Sequence, residues 1–509
     1  MAKIDTKHPK YTKFAPDWKI VSDVYEGERR VKAEGMEYLP VTQSMIRAGM
    51  HAGGDGYKAY LSYKTRAVFH DFLAEAVEAM VGVMHSREAV IELPAAMESM
   101  LESASVTGES LQMLLRRINV QQLVKGRLGL LADLPSTVRT GLVLPYIAVY
   151  EAESIINWDN GKREDPVGQN LNMVVLDESE EERTSAFDWD MVKKHRVLIL
   201  GDTQENEGKG ERAIYRYAVV REEEAFTDEM LQEATVRGTA LEQIPFVFIN
   251  SKDVVPEPDD PPLLGLANLS LAIYRGEADY RQSLFMQGQD TLVTMGLTGE
   301  DDQIEVGSGA HIKLPADGDA KFIGVESKGI DEQRKAIEND MRRASFKAAQ
   351  ALDNNTQQAQ SGDALRIRVS ARTATLNQVA LTGAFGLETI LKQIATWIGA
   401  NPEEVVVEPN LDFVDTEADG RTMVELVSAK NMGFPLSRET LHKIAQERGL
   451  TEMEFEDEIA LIEGEEPLGT TILENTEEDD DADGGQGDQA TRQQGTGTDP
   501  NADDEGGEG

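Results

Sequence analysis

Seven histidines are the scarcest reactive side chains here, and their positions argue against the common metal and nucleophile arrangements. His8, His51, His70, His85, His195, His311 and His442 form no pair at metal-ligand spacing, and neither HExxH nor GxSxG occurs. With zero cysteines there are no disulfides and no thiolate ligands, which fits synthesis in a reducing compartment. Neither a metal nor a cofactor is expected. The 92 Asp and Glu residues are too many for a catalytic pair to stand out by spacing. An acidic hydrolase with an unrecognised carboxylate pair therefore stays open as an alternative. Glu300-Asp301-Asp302 reads as a solvated turn rather than a divalent-cation site. Gly208-Lys209-Gly210 lacks the Ser/Thr and the glycine spacing of a phosphate loop.

The formal charge of −42 argues against wrapping nucleic acid by counterion release, which needs clustered Lys and Arg. It is compatible with letting DNA pass without gripping it, or with solubility alone. One helix runs against this background, with Arg334, Lys335, Arg342, Arg343 and Lys347 around an apolar face of Ile337, Met341, Ala344, Ala348 and Ala351. Its bland explanation is a solvated helix whose cations pair with Glu332 and Glu338.

The elements that must position these groups fall into an α+β order. At 509 residues the chain should divide into several packed regions, and 40 % hydrophobic content with 6 % aromatics suits a helix-rich globular protein. No apolar run reaches membrane-spanning length and the N-terminus lacks a signal-peptide core, so a soluble protein made in a cytoplasm is expected, with no membrane partner. Residues 1–17 read as a loosely held Lys-rich arm. Periodicity predicts helices over Lys64–Val83 and Ser110–Lys125, and extended pieces at Ala89–Leu93 and Gly126–Pro135. Leu144–Asp159 reads as a strand followed by a turn of helix ending at Trp158. Between 170 and 250, MVVLDE, RVLILGD, AIYRYAVVRE and PFVFINSKD are strand-length β-branched and aromatic runs, predicting one antiparallel sheet.

After a rigid Pro256–Pro262 spacer, a helix striped by Leu266, Leu269, Ile273, Tyr280 and Leu284 is expected to end near Gly296. A small β-rich excursion follows over 297–328, then the cationic helix over 330–352. The polar loop 353–362 holds Asn354, Asn355, Gln357, Gln358 and Gln360. A long helix over 363–399 comes next, with a kink expected at Gly383-Ala-Phe-Gly386. Beyond Pro402 a strand at Val405 precedes helices at Thr422–Asn431, Arg438–Arg448 (with Ser437 as N-cap) and Glu452–Glu463. From 474 the chain is Asp/Glu/Gly-rich and reads as a disordered acidic tail.

Across residues 18–465 the chain resembles the portal proteins of tailed bacteriophages. The likeness rests on Asp23…Gly27-Glu28…Tyr38-Leu39-Pro40, Gly82, Gly126-Arg127…Asp133-Leu134-Pro135, Tyr150…Glu153…Ile156-Asn157-Trp158, and Gly433-Phe-Pro-Leu-Ser-Arg-Glu-Thr440. The resemblance implies a mainly helical portal fold within the α+β class. Its wing would be 18–262, its first stem helix 263–296, its clip 297–328 and its second stem helix 330–352. The tunnel loop would be 353–362, the long kinked helix 363–399 and a crown-like region 400–473; the tail 474–509 has no family counterpart. It implies a ring, typically of twelve subunits, at one capsid vertex of the virion, made in the bacterial host cytoplasm and without catalytic activity. Double-stranded DNA would pass along its axis. The terminase large subunit and later head–tail adaptor or tail proteins would dock on the clip, where His311, Lys313 and Lys321 lie. Major capsid and scaffolding proteins would contact the wing. In such a ring the Gln/Asn loop would touch DNA. Arg334, Arg342, Arg343 and Lys347 would either contact phosphates or pair with acidic neighbours. A capsid-associated adaptor or scaffold-like protein is the other alternative.

Overall fold

The computed structural model describes residues 3–134, 145–159, 171–201, 214–222, 224–287, 291–295, 319–323, 328–349, 362–411, 413, 420–447, 451 and 453–464. The chain divides into two units, Met1–Phe413 and Val414–Gly509.

The first unit begins with α1 (Pro9–Tyr25), entered through a proline and capped by His8, whose ring accepts from the Lys10 backbone N–H. Tyr11, Phe14, Trp18 and Val21 recur at helical spacing and are all buried. The loosely held arm over 1–17 is thus corrected: from Pro9 onward it is packed helix, because three aromatics give it an apolar face. Next come α2 (Glu28–Glu34), α3 (Gln43–Ala48), α4 (Asp55–Arg66) and α5 (Phe72–Met84). The single helix expected over Lys64–Val83 is therefore two, since α4 ends in an extended Ala67. The face named by periodicity survives in α5, where Ala76, Val77, Met80 and Val81 are buried.

A short strand β1 (Val90–Glu92) precedes α6 (Leu111–Lys125). Ser110 caps α6 by accepting from the Met113 N–H at 3.2 Å, a contact worth about 1 kcal/mol, and Gly126 closes the helix in the left-handed region. Then follow β2 (Arg127–Asp133), β3 (Tyr146–Glu151), β4 (Ile155–Asp159), β5 (Met173–Asp177), β6 (Glu180–Arg183), β7 (Trp189–Val192), β8 (Lys194–Leu200) and β9 (Tyr215–Arg221). After these run β10 (Gln232–Glu233), β11 (Thr235–Val236), β12 (Thr239–Ala240) and β13 (Phe246–Asn250). The turn of helix expected to end at Trp158 is a single 3-10 turn, Ala152–Ser154, and the chain then runs on as strand β4, whose Ile155 and Ile156 both pack into the sheet core.

All pairings are antiparallel, as expected, but the four strand-like runs divide between two sheets. Three of them join the order β10-β9-β8-β5-β4, whereas PFVFIN pairs with the earlier chain in β13-β2-β3. Every residue of β13 is buried although it is an edge strand: Val247 and Ile249 pack in the core shared with α9, and Phe246 and Phe248 in the core that holds α1.

The second half of this unit is α7 (Leu264–Gln287), β14 (Thr291–Met295), β15 (Asp319–Ile323), α8 (Lys328–Ala349), α9 (Gly362–Ile398) and β16 (Val406–Glu408). At 37 residues, α9 is about 55 Å long. Its Leu376, Val379 and Ala380 sit in a helical core with α1, α4, α5, α7 and α8, while Leu387, Ile390, Leu391 and Ile394 sit in a second core with α6, β2 and β13. A third core lies between α1 and the five-stranded sheet. One helix therefore stitches two cores.

The glycines expected to kink α9 have a packing role. The helix runs through 383–386 without interruption. A Cβ on Gly383 would lie 2.7 Å from both Asn119 and Gln122 of α6, and one on Gly386 would lie 2.3 Å from Ile249 of β13. Missing side chains here admit neighbours. Because β16 pairs with β1, residues 400–413 belong to the first unit, and the region expected to start at 400 begins after Phe413.

The second unit holds α10 (Gly420–Asn431), α11 (Arg438–Glu447) and α12 (Phe455–Gly464). Ser437 caps α11 as expected, accepting from Thr440 N–H at 2.9 Å, and His442 meets Phe455 edge-on at 5.4 Å. The tail 474–509 lies outside the described residues.

Candidate nucleic-acid interface

The candidate interface is built on the α7–β14–β15–α8 unit. α7 and α8 approach closely at Gly276, where a Cβ would sit 3.2 Å from Ile337. Ile337 and Ala344 are buried in that seam, with Met341 and Ala348 packed beside them, so the apolar face of α8 is the one that periodicity names. On α7, Leu266 and Ile273 are buried, Leu269 and Tyr280 pack against the core, and Leu284 is 42 % exposed. The helix outruns its core toward its C-terminus.

There it does not continue to Gly296 as expected. Strand β14 starts at Thr291 and pairs with β15, from Thr291↔Ile323 to Met295↔Asp319. Thr-Leu-Val-Thr-Met is rich in β-branched residues, and its cross-strand partner explains why the strand wins over continued helix. Lys321 is exposed on β15, opposite Val293. His311 and Lys313 lie outside the described residues, as do Asn354, Asn355, Gln357, Gln358 and Gln360 of the polar loop.

The polar face of α8 carries Arg334, Lys335, Arg342, Arg343 and Lys347, all exposed. Arg334 meets Glu338 at 3.2 Å and Lys335 meets Glu332 at 2.8 Å, the partners expected from spacing. Arg342 lies 4.0 Å from Glu338, and Arg343 lies 3.4 Å from Asp340. Such exposed pairs are screened by solvent and weak, too weak to withhold these cations from a stronger anion. Lys347 has no carboxylate partner among the described residues. Within a single chain the face is a partly paired, solvated cationic strip.

The motif residues that carried the resemblance prove to be structural. Asp23 is nearly buried on α1 and accepts from Lys19 at 2.8 Å, Tyr38 at 2.6 Å and Arg30 at 2.6 Å. Burial alone would raise its carboxyl, but the Lys19, Tyr38 and Arg30 donors outweigh that and hold it below the usual carboxylate range. Glu153 accepts from Ser22 at 3.0 Å and from the largely buried Lys125 at 2.7 Å, tying α1 and α6 to the β3–β4 junction.

Arg127 is fully buried and flat against two rings, its guanidinium carbon 4.1 Å from Trp158 and 4.4 Å from Phe248. His8 stacks on Trp158 at 4.1 Å. None of the three Arg127 nitrogens finds a hydrogen-bond partner, and burial pushes its pKa down to about 9. Nothing in the run Gly-Arg-Leu-Gly-Leu-Leu signalled a buried cation. The aromatics that hold it come from 31 and 121 residues downstream, by the positions of Trp158 and Phe248.

Among the described residues no group of three or more His, Asp or Glu is arranged to hold a metal, and no helix is long and apolar enough to cross a membrane. Glu300-Asp-Asp302 and Gly208-Lys-Gly210 lie outside the described residues.

A family model described as a domain of unknown function, DUF4055, matches residues 262–398, which is the α7–α9 stretch. No curated protein matches the chain. Among solved structures, it is similar to a chain of the neck of a native GTA particle computed with C12 symmetry. The two are 14 % identical with a TM-score of 0.35, covering 73 % of this chain and 89 % of that one. It is also similar to a chain of the virion of a native gene transfer agent particle, at 13 % identity and a TM-score of 0.37, covering 77 % and 93 %. Likeness at that level carries no functional inference.

Proposed function

We propose that this chain is the subunit of a portal-type ring at a capsid vertex, through whose axis double-stranded DNA is packaged and released. The observation that carries the reading is the order of α7, the β14·β15 hairpin, α8 and α9. This is a helix, a small β excursion, a returning helix, a polar loop and a long helix seated in two cores. It has the order of the stem, clip, stem, tunnel loop and long helix of the family whose motifs the chain resembles. A channel wall needs rigid helices with one face anchored, and α8 supplies an anchored apolar seam and an open polar strip.

The electrostatics support passage rather than grip. Twelve copies of a −42 chain carry a charge of about −500, which repels phosphate at long range. Against that field, α8 has six cations and four carboxylates. Its strip offers weak, exchangeable phosphate contacts, and the Gln/Asn loop offers neutral hydrogen bonds. The segment 297–328, whose sequence includes His311, Lys313 and Lys321, is the docking end for the terminase and later for head–tail adaptors. Capsid and scaffolding proteins meet the outer sheets. The ring itself performs no catalysis.

Packaging of DNA into assembled particles tests this reading. Arg342→Glu/Arg343→Glu and the triple change of Gln357, Gln358 and Gln360 to Ala are expected to leave ring mass unchanged. Retained DNA should fall several-fold in the first and be altered in the second. Unchanged retention in both variants, with rings intact, would place the DNA path elsewhere.

A further inference from the structure

The segment ahead of α1 is held by contacts that converge on one titratable ring. Thr6 N–H and Thr6 Oγ1 both donate to the Lys3 carbonyl, at 3.0 and 2.6 Å, folding residues 3–6 into a turn. Asn157 Nδ2 of β4 donates to the Thr6 carbonyl at 2.9 Å, and His8 N–H donates to the Ile156 carbonyl at 2.9 Å. Ile4 packs against the core between α1 and the five-stranded sheet. The His8 ring adds two contacts of its own. Its Nδ1 accepts from the Lys10 N–H at 3.2 Å, which caps α1, and the imidazole stacks on Trp158 with centroids 4.1 Å apart.

This arrangement requires a neutral imidazole. To accept from an N–H, Nδ1 must keep its lone pair, so the ring proton sits on Nε2. The Trp158 ring already serves one cation: the fully buried Arg127 guanidinium lies 4.1 Å from it, with no hydrogen-bond partner for its nitrogens among the described residues. A second cation on that indole would meet a repulsion that burial leaves poorly screened. The charged groups flanking His8 are Lys7 and Lys10 on its own segment, Arg127 from β2, Asp159 from β4, and Glu257, which pairs with Lys10. Burial first, then Lys10 and Arg127, hold the imidazole below its ordinary value, and Asp159 opposes them with a smaller pull.

We propose that His8 is an acid-sensitive latch, whose protonation uncaps α1, releases residues 3–8 from β4 and uncovers the Trp158 ring. The proton goes to Nδ1 and turns the acceptor facing the Lys10 N–H into a second donor. The neutral form is the one that holds the segment. Its contribution is therefore complete above the unfolded value of about 6.5 and is lost as pH falls through the lower folded value. That window lies above the acid range in which the Asp23 carboxyl titrates. The latch does not depend on the ring reading.

Because the sequence has no cysteine, a single introduced thiol reports on this segment alone. Asp5 is exposed and its side chain makes none of these contacts. Full-length Asp5→Cys, labelled with a pH-insensitive fluorophore, is followed by fluorescence anisotropy from about pH 8 to about pH 5. Anisotropy is expected to stay level at the alkaline end and to fall with a midpoint below about 6.5. His8→Asn in the same background keeps a capping acceptor for the Lys10 N–H but gains no proton, so it should show no such midpoint. A level trace with His8 in place, or the same midpoint in His8→Asn, would overturn the latch. So would a fall accompanied by loss of most of the far-ultraviolet circular dichroism, since the whole chain would then be unfolding.

Discussion

Gly386→Leu is expected to destabilise the Met1–Phe413 unit by about 3 kcal/mol or more, at the upper end of overpacking penalties. The reason is local and severe. A Cβ at 386 would stand 2.3 Å from Cδ1 and 2.4 Å from Cγ1 of Ile249, and Ile249 is fully buried. β13 cannot retreat without breaking its ladder to β2, and α9 cannot retreat without opening the second core. Gly386→Ala sharpens the argument, because in an open helix it would gain about 1 kcal/mol from propensity. Here the clash should reverse that sign, and Ile249→Ala should restore part of it. A double-mutant cycle read by urea midpoints should give a coupling of at least about 1 kcal/mol. Additive effects would mean that the glycine serves the bend expected from sequence and not this contact.

Asp23→Asn carries the second-largest expected effect, a loss of about 2–3 kcal/mol at neutral pH. Breaking a fully buried ion pair costs roughly 3–5 kcal/mol. The lower figure applies because Lys19 and Arg30 keep side-chain exposures of 40 % and 42 % and can return to water, whereas Asp23 at 3 % cannot. The pH dependence separates this charge effect from loss of shape. Since the folded carboxyl sits below its ordinary value, its contribution is complete above the unfolded pKa of about 3.9 and is lost as pH falls through the folded value. The ammonium of Lys19 is raised by the same cluster, though burial opposes it. Its share is therefore present below about 10.4 and lost as pH rises through the folded value. Wild type and Asp23→Asn should converge in urea midpoint as pH drops below 4. A gap that stays constant into acid would show that packing, rather than the carboxylate charge, holds α1 to Tyr38.

These two sites show what the sequence could and could not disclose. Local signals were reliable where a single side chain decides the outcome: Ser437 caps the helix it precedes, and Ile337 and Ala344 face inward on α8. Where a residue's role depends on something distant, local signals misled. Nothing in the local sequence shows that α6 and β13 stand against Gly383 and Gly386. PFVFIN looks like a continuation of the preceding strands, yet it pairs with β2, more than 110 residues earlier by the Phe246↔Leu131 register. Tyr11 and Phe14 looked like parts of a polar arm because Lys3, Lys7, Lys10 and Lys13 dominate its composition, while the aromatics set its packing.

The exposed surface divides in the same way. The cationic strip of α8 was legible because helical spacing and charge suffice to draw it. The exposed Phe187, Trp189 and Met191 of the β6–β7 hairpin were not, since alternating apolar residues in a strand ordinarily mean a buried face. Only the structure shows this hairpin standing apart from any sheet that would cover it.

A portal-type ring is an assembly, and mass measures assembly directly. Purified full-length chain, weighed by native mass spectrometry and imaged in negative stain, is expected to give one closed species near twelve times 56.0 kDa with an axial hole. A species that stays at 56.0 kDa across concentration, above all one that hydrolyses a substrate, would contradict it.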